Sequence, residues 1–183
     1  MSFDLQPTLQ GELLELRPLM TADFDALYDV ASDPFIWEQH PNHDRYQRPV
    51  FEVFFREAME SRGAVLALDR RDGRVIGSSR FANLDEQKSE VEIGWTFLAR
   101  SHWGGFYNGE MKKLMLDHAF QFVRNVVFVI GPQNFRSQRA VEKIGGTLVG
   151  SKLDKNGNER LVFRLEASAR LEHHRPIPKP LIP

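Results

Sequence analysis

Apolar and polar positions alternate through Glu12–Leu19, ELLELRPL, until Pro18, the pattern of a strand. Phe24, Leu27, Tyr28 and Ala31 then recur at helical spacing, behind Thr21 as a cap and with Asp23 and Asp25 in the first turn. Asp33-Pro34 ends that helix, because proline disfavours helical geometry in the residue before it. A polar loop carrying aromatics follows, Trp37–Pro49. Val50–Arg62 is a second helix with a broad apolar arc, Phe51, Phe54, Phe55, Ala58 and Met59, stopped at Gly63. The period then falls to two. AVLALDR and RVIGSSRFANL flank Asp72-Gly73, a hairpin turn, and SEVEIGWTFL (Ser89–Leu98) adds another strand. A long helix is expected from about Gly105 to Val123. The continuous apolar run Val126–Ile130 reads as a strand buried on both faces. NFRSQRAVEKIGG is a short helix stopped by Gly145-Gly146, and TLVGSKL and ERLVFRLEA flank a second turn, Asn156-Gly157.

The order β-α-α-β-β-β-α-β-α-β-β contains one strand-helix-strand unit, Glu90 to Ile130, which requires a parallel pair joined by a right-handed crossover. The remaining connections are hairpin-like. The chain is therefore expected to be an α+β (mixed α/β) domain, its central sheet mostly antiparallel and flanked by helices. With 183 residues, 42% of them hydrophobic and 14 of them Phe, one domain with a sizeable core is expected. The domain is taken as residues 1–167. Residues 168–183, with four prolines after His174, read as an extended or disordered tail.

Charge and composition then narrow the function. Basic and acidic side chains nearly cancel, 24 against 25, for a net charge of −1. A general nucleic-acid or anionic-membrane binder needs a basic excess, so neither role is expected. The absence of cysteine removes thiolate metal sites, disulfides and any cysteine nucleophile, and fits a reducing cytoplasm. No signal-peptide pattern and no spanning apolar run is present, so a cytoplasmic protein is expected.

The chemistry is concentrated at SHWGGFYNGEMKK, where Gly104-Gly105 separate a strand from a long helix. A helix N-terminus offers unpaired N–H groups and partial positive charge, and glycines let an anion approach the backbone. The pattern is neither G-x-x-x-x-G-K-[ST] nor G-x-G-x-x-G, so nucleotide triphosphate hydrolysis and a Rossmann site find no support. Asn134 and Ser137 open the next helix, after the buried strand. Parallel neighbouring strands bring both crossovers to one sheet edge, so these residues are expected beside Gly104-Gly105.

The element order, with EIGWTF, WGGFYNGE and NFRSQRAVEKIG at these spacings, resembles the GNAT superfamily of N-acetyltransferases and, within it, the RimJ/RimL-like branch. The resemblance spans about Leu13 to Leu165. It implies a GNAT-like sheet with a splayed parallel strand pair. It implies acetyl-CoA as co-substrate, no metal, and acetyl transfer to the α-amino group of a protein or to a small amine. The family's pyrophosphate loop, Q/R-x-x-G-x-G/A, falls on Trp103, Gly104, Gly105, Phe106, Tyr107 and Asn108. Phe106 and Asn108 depart from it, so Phe106 must point away, while backbone donors from Gly104 to Gly109 cradle the phosphates and Asn108 adds a side-chain donor. The resemblance also implies that Thr96, Phe97 and Leu98 line the pantetheine and the thioester carbonyl, with Asn134 and Ser137 beside the thiol. A tyrosine acid common in relatives would fall at Val141, and Ser137 matches the serine used by RimL-like members.

Transfer to an amine needs a neutral nucleophile, hence a base. Glu92, with Glu90 second, is the candidate, since both project from one face of a strand. Without cysteine, direct attack replaces a covalent enzyme intermediate. By the resemblance, the Trp37–Pro49 loop borders the acceptor pocket, which brings in Trp37, His40, His43 and Arg45. Arg80, beside Ser78 and Ser79, is a further candidate, for an acidic acceptor. Glu38, His40, His43 and Asp44 read as a surface cluster and not as metal ligands. Lys112 and Lys113 read as solvent-facing, His118 as structural and Trp95 as core. Exposed strand edges and the tail offer a route to a homodimer. The alternatives are a CoA-binding or sensor protein without catalysis, which Val141 and the altered loop favour, and a transferase for another acyl-CoA or acceptor.

Overall fold

A computed structural model describes residues 2–168. The elements are β1 (Leu9–Gln10), β2 (Leu14–Pro18), α1 (Phe24–Ala31), α2 (Arg48–Glu60), β3 (Ala64–Asp69), β4 (Val75–Asp85), β5 (Glu90–Leu98), α3 (Phe106–Ala119), β6 (Asn125–Ile130), α4 (Phe135–Lys143), β7 (Thr147–Leu153) and β8 (Glu159–Glu166). The strands form one sheet in the order β1-β2-β3-β4-β5-β6-β8-β7, antiparallel except for β5–β6. This is the expected mixed sheet with one parallel pair, with β1 added; a two-residue strand carries no readable period. The proposed tail falls almost wholly outside the described residues. No helix among the described residues is long and apolar enough to cross a membrane.

Strand alternation sends successive side chains to opposite faces, and each face has its own core. Val65, Ala67, Phe81, Val91 and Ile93 pack with Met111, Met115, Leu116 and Ala119 of α3. Leu66 and Phe97 pack on the other face with Leu27 and Ala31 of α1 and Phe51, Phe54, Phe55 and Ala58 of α2. Each such side chain, fully buried, contributes about 1.5–3 kcal/mol of transfer free energy.

One local detail differs from expectation. Thr21 does not cap the first helix: Asp23 accepts the N–H of Met20 at 2.8 Å and is held by Arg17 at 2.6 Å, so the chain enters α1 through a short 3-10 turn, Thr21–Asp23. Glu110 of α3 reaches across to the start of β2, where its carboxylate accepts the N–H groups of Glu12 and Leu13 in the preceding turn and of Leu14 at 2.7, 2.8 and 2.9 Å. A carboxylate with three backbone donors is a strong anchor, and it fixes α3 under the sheet.

The feature that makes a site is the parallel pair. β5 and β6 are in register only over Glu90–Asn125, Val91–Val126 and Glu92–Val127. β5 then continues to Leu98, still paired to β4 on its other edge, and β6 continues to Ile130, paired to β8. Their facing edges separate, leaving backbone N–H and C=O groups available to a third extended chain.

Candidate active site

β5 carries a bulge at the start of this gap. Trp95 adopts φ 53, a left-handed conformation unusual for a bulky residue, and the register to β4 shifts between Ser78 and Arg80. Such strain marks positions where the backbone is re-aimed. Thr96 follows, with its hydroxyl 2.7 Å from Ser79 Oγ. Phe97 is buried against Trp37 and Phe54. The Leu98 carbonyl is already engaged, accepting Trp103 Nε1–H at 2.9 Å.

At the far end of the gap, Gly104 and Gly105 stand at φ 105 and φ 110, conformations open to glycine, and a Cβ on either would meet nothing within 4 Å. α3 begins directly after them, with no side-chain cap and no acidic residue in its first turn. Its first backbone donors therefore face open space. Phe106 is 82% exposed, and a Cβ at Gly109 would also meet nothing within 4 Å. Asn108 is half-buried. The Tyr107 hydroxyl donates to Asp69 Oδ2 at 3.2 Å.

Asp69 is the anchor of that junction, and the sequence reading passed over it. It is fully buried at the end of β3 and accepts from Arg71, from Tyr107 and from His102, whose Nε2 lies 3.0 Å away. The Arg71 hydrogen bond, foremost, holds its carboxyl below the ordinary range against the opposing effect of burial. The network ties β3 to both sides of Gly104-Gly105.

The α4 end of the site is drawn to the same place. Arg136 stacks over the Trp103 ring, 4.2 Å from its centroid, while its backbone N–H and guanidinium bond Gln39 and the Ile36 carbonyl of the α1–α2 loop. The glycine junction, the start of α4 and that loop thus converge. Asn134 caps α4 by accepting Ser137 N–H at 3.2 Å. This leaves the Ser137 hydroxyl without a protein partner among the described residues. Val141 is buried core.

On the α1–α2 face, Glu92 is 5% exposed and accepts Asn83 Nδ2–H at 2.8 Å, with Lys152 Nζ at 4.0 Å. Burial, above all, raises its pKa, while Asn83, Lys152 and Arg80 draw it down. Glu90, its alternative, is paired with Arg164 at 2.9 Å. Arg80 is 5% exposed and lies 4.6 Å from the Trp95 ring. Arg45 is 8% exposed, 4.6 Å from the Phe54 ring and 3.1 Å from His40 Nε2. His40 borders a cavity of about 700 Å³ between the α1–α2 loop, the start of α4 and the β7–β8 turn. Trp37, expected to line a pocket, is core instead: it is 2% exposed and its indole N–H goes to the Ala31 carbonyl at 2.7 Å. His43 is exposed, and no group of three or more His, Cys, Asp or Glu that could hold a metal occurs among the described residues.

Lys112 contradicts its reading as a surface residue. It is 7% exposed under β5, donating to Thr96 Oγ1 at 2.8 Å with Nζ 5.2 Å from the Phe128 ring. Burial alone lowers its pKa from 10.5 to about 7. The signal was present, since Lys112, Met115, Leu116 and Ala119 share one helical face. Lys113 is exposed, and His118 is buried with Nε2 2.7 Å from the Asp4 carbonyl, a structural tie.

With this geometry in view, a family profile described as Acetyltransferase (GNAT) domain matches residues 14–147. The chain belongs to the GNAT acetyltransferase family. A curated relative, the "Uncharacterized N-acetyltransferase p20" of Bacillus licheniformis, is 28% identical over 118 residues, 62% of this chain and 66%, just under two thirds, of that protein. A GCN5-related N-acetyltransferase from Brucella melitensis superposes with a TM-score of 0.78 at 20% identity, over 90% of this chain and 80% of that one. An acetyltransferase from Agrobacterium tumefaciens gives 0.67 at 28% identity, over 87% and 94%. The likeness at 20% identity carries the fold alone. The GNAT fold accounts for the separated β5–β6 pair and for the uncapped helix at its end.

Proposed function

We propose that the chain transfers an acetyl group from acetyl-CoA directly to a primary amine, as a RimJ/RimL-like member of its family. The observation that carries this is the open β5–β6 gap, bounded at one end by the uncapped α3 N-terminus with its two Cβ-free positions. The residues present fit acetyl-CoA: extended backbone edges suit a pantetheine arm, and free N–H groups at a helix start suit a pyrophosphate. Gly104, Gly105 and the first turn of α3, with Asn108, would hold the phosphates, and Thr96–Leu98 would hold the pantetheine.

Acetyl-CoA supplies the activated thioester carbonyl and a thiol leaving group. The chain's own residues manage the protons. Glu92, buried, accepts the amine proton, directly or through water, and its raised pKa makes its carboxylate a stronger base than that of a solvated glutamate. Ser137, with its hydroxyl unpartnered, donates a hydrogen bond where the sulfur departs. A backbone N–H at the Trp95–Thr96 bulge, re-aimed by the local strain, offers a donor where negative charge develops. Titration calorimetry with acetyl-CoA, CoA and ATP, followed by thiol release across an amine panel, tests the reading. Binding of both CoA species without ATP, followed by turnover, is expected. Binding without turnover on any amine would replace it with a CoA sensor.

A further inference from the structure

Seven arginines have a carboxylate within 4.0 Å: Arg17, Arg48, Arg71, Arg74, Arg100, Arg160 and Arg164. Arg45 and Arg80, the two buried arginines among the described residues, have none. A buried cation ordinarily finds such a partner. The exception is sharpest at Arg80, whose Nε and Nη2 are both buried and lack any hydrogen-bond partner. These two nitrogens form one edge of the guanidinium, the edge that grips a carboxylate in a two-pronged fork. Arg71 uses the same edge in this chain, closing Nε and Nη2 on Asp69 at 3.1 and 2.6 Å. Arg80 presents that edge with nothing in it. Burial lowers its pKa only to about 10, so it remains a cation near neutrality.

The position of this unpartnered edge is informative. Arg80 pairs across the sheet with Gly94, beside the strained Trp95, and Ala82 pairs with Glu92. Cross-strand neighbours share a face, so Arg80 and Glu92 are diagonal partners on one surface, with Cβ atoms about 7–8 Å apart by strand geometry. Glu57 and Glu92 are near enough to act on Arg80 through their charge, but neither pairs with it. Arg45 lies beside Arg80 on the Phe54 ring, and each lacks an ion pair. His40 is held neutral, its pKa lowered to about 3 by burial first and by Arg45 and Arg160 next. Arg45 Nη1 can only donate, so the neutral ring accepts it at Nε2, 3.1 Å away, and that acceptor is taken up by Arg45.

We propose that the acceptor is a small amine that also carries a carboxylate, and that Arg80 Nε and Nη2 receive this carboxylate while Glu92 faces the amine. The proposal rests on the acetyl-transfer reading above. A planar monoanion suits the single fork, flanked by the rings of Trp95 and Phe54. The diagonal spacing matches a molecule of amino-acid size. Arg45 adds positive charge from behind and shares the carboxylate's field.

The test compares each proteinogenic amino acid with its own C-terminal amide, in wild type and in Arg80→Gln and Arg80→Lys. One arm measures thiol release with acetyl-CoA. The other measures binding by calorimetry with CoA bound and no acetyl group, which needs no turnover. At least one free acid is expected to exceed its amide by about 10–100-fold in kcat/KM, the range of a charge-assisted fork. Arg80→Gln should erase that ratio through KM, with acetyl-CoA affinity unchanged, and Arg80→Lys should retain part of it. Equal use of acid and amide by wild type, or an undiminished ratio in Arg80→Gln, overturns the proposal. If acetyl-CoA binds but no amine releases thiol, the transfer reading fails and the calorimetric arm decides alone. Acid-specific heat lost in Arg80→Gln then supports the fork, and its absence overturns it. A preference for peptides with an acidic first residue over every free amino acid would move the fork to a protein N-terminus and overturn the small-molecule assignment.

Discussion

Lys112 offers the most direct physical test of the site's electrostatics. Its amine sits under β5 with one hydrogen bond, to Thr96, an aromatic ring nearby and no carboxylate within 4.0 Å. Its pKa is lowered from 10.5 to about 7 by burial. A folded-state pKa below the unfolded value means that folding expels a proton between these limits. The cost is therefore fully present below pH 7, fades as pH rises toward 10.5, and vanishes above it. At about 1.4 kcal/mol per pH unit, its full size is about 5 kcal/mol. Lys112→Met keeps the aliphatic stem, places sulfur near the Phe128 ring and removes the amine. It loses one hydrogen bond worth about 1 kcal/mol. The variant is therefore expected to be more stable at pH 7 by up to about 4 kcal/mol, on the order of 8–16 °C in Tm for a chain of this size. Thermal and urea unfolding of both proteins at pH 6, 8 and 10 gives the answer, because the difference cancels every other titrating group. A methionine variant less stable than wild type at pH 7, or a gap that fails to shrink toward pH 10, would refute the reasoning.

The other consequences are more local. Valine at Gly104 or Gly105 must adopt φ near 105 or 110 and projects a side chain into the open space before α3; acetyl-CoA affinity should fall at least about tenfold, since 1.4 kcal/mol suffices for that, and an unchanged affinity removes the phosphate assignment. Glu92→Gln should lower kcat by about 10²–10⁴-fold. In wild type the acid limb of the rate profile should lie above the ordinary glutamate value of 4.5 and flatten in the variant, because a carboxyl with raised pKa loses its charge at higher pH. Glu110→Ala strands three backbone N–H groups at the entry to β2 and should cost about 2–4 kcal/mol in urea unfolding; a loss below about 0.5 kcal/mol would mean that water replaces the carboxylate without penalty.

The fold was legible because its signals are local. Phe51, Phe54, Phe55 and Ala58 at helical spacing, the Asp72-Gly73 and Asn156-Gly157 turns, and the apolar run before Ile130 each specify their element without reference to the rest of the chain. The glycine junction was legible for the same reason. Side chains that act across the sheet were harder. Asp69 alternates in its strand like any polar residue, and its partners His102, Tyr107 and Arg71 are gathered only by the fold. Glu110 was quoted within a motif, but its three partners lie about a hundred positions away at the entry to β2. Lys112 was misread because its charge outweighed its place on the face of Met115 and Ala119. Trp37 was misread because a loop tryptophan was taken as pocket wall, whereas its indole N–H is satisfied inside the core.

These misreadings share a physical cause, and it concerns the site. Carboxylates that a sequence count would offer as counter-ions are committed to anchoring: Asp69 to the glycine junction, Glu110 to β2, Asp23 to Arg17. The cations beside the bulge of β5 are left without a carboxylate in contact, Lys112 on the α3 face and Arg80 and Arg45 on the other. A chain of net charge −1 therefore concentrates unpaired positive charge at one place in its sheet. For stability alone this is unfavourable, since a buried charge without a partner is destabilising and apolar replacements are tolerated better. For a reaction that gathers negative charge at that place, the same arrangement is preorganised, and low dielectric strengthens it. The balance has a testable signature. Substitutions that remove these cations should raise the stability of the free protein while lowering its affinity for anionic ligands, whereas substitutions at Asp69 or Glu110 should lower both.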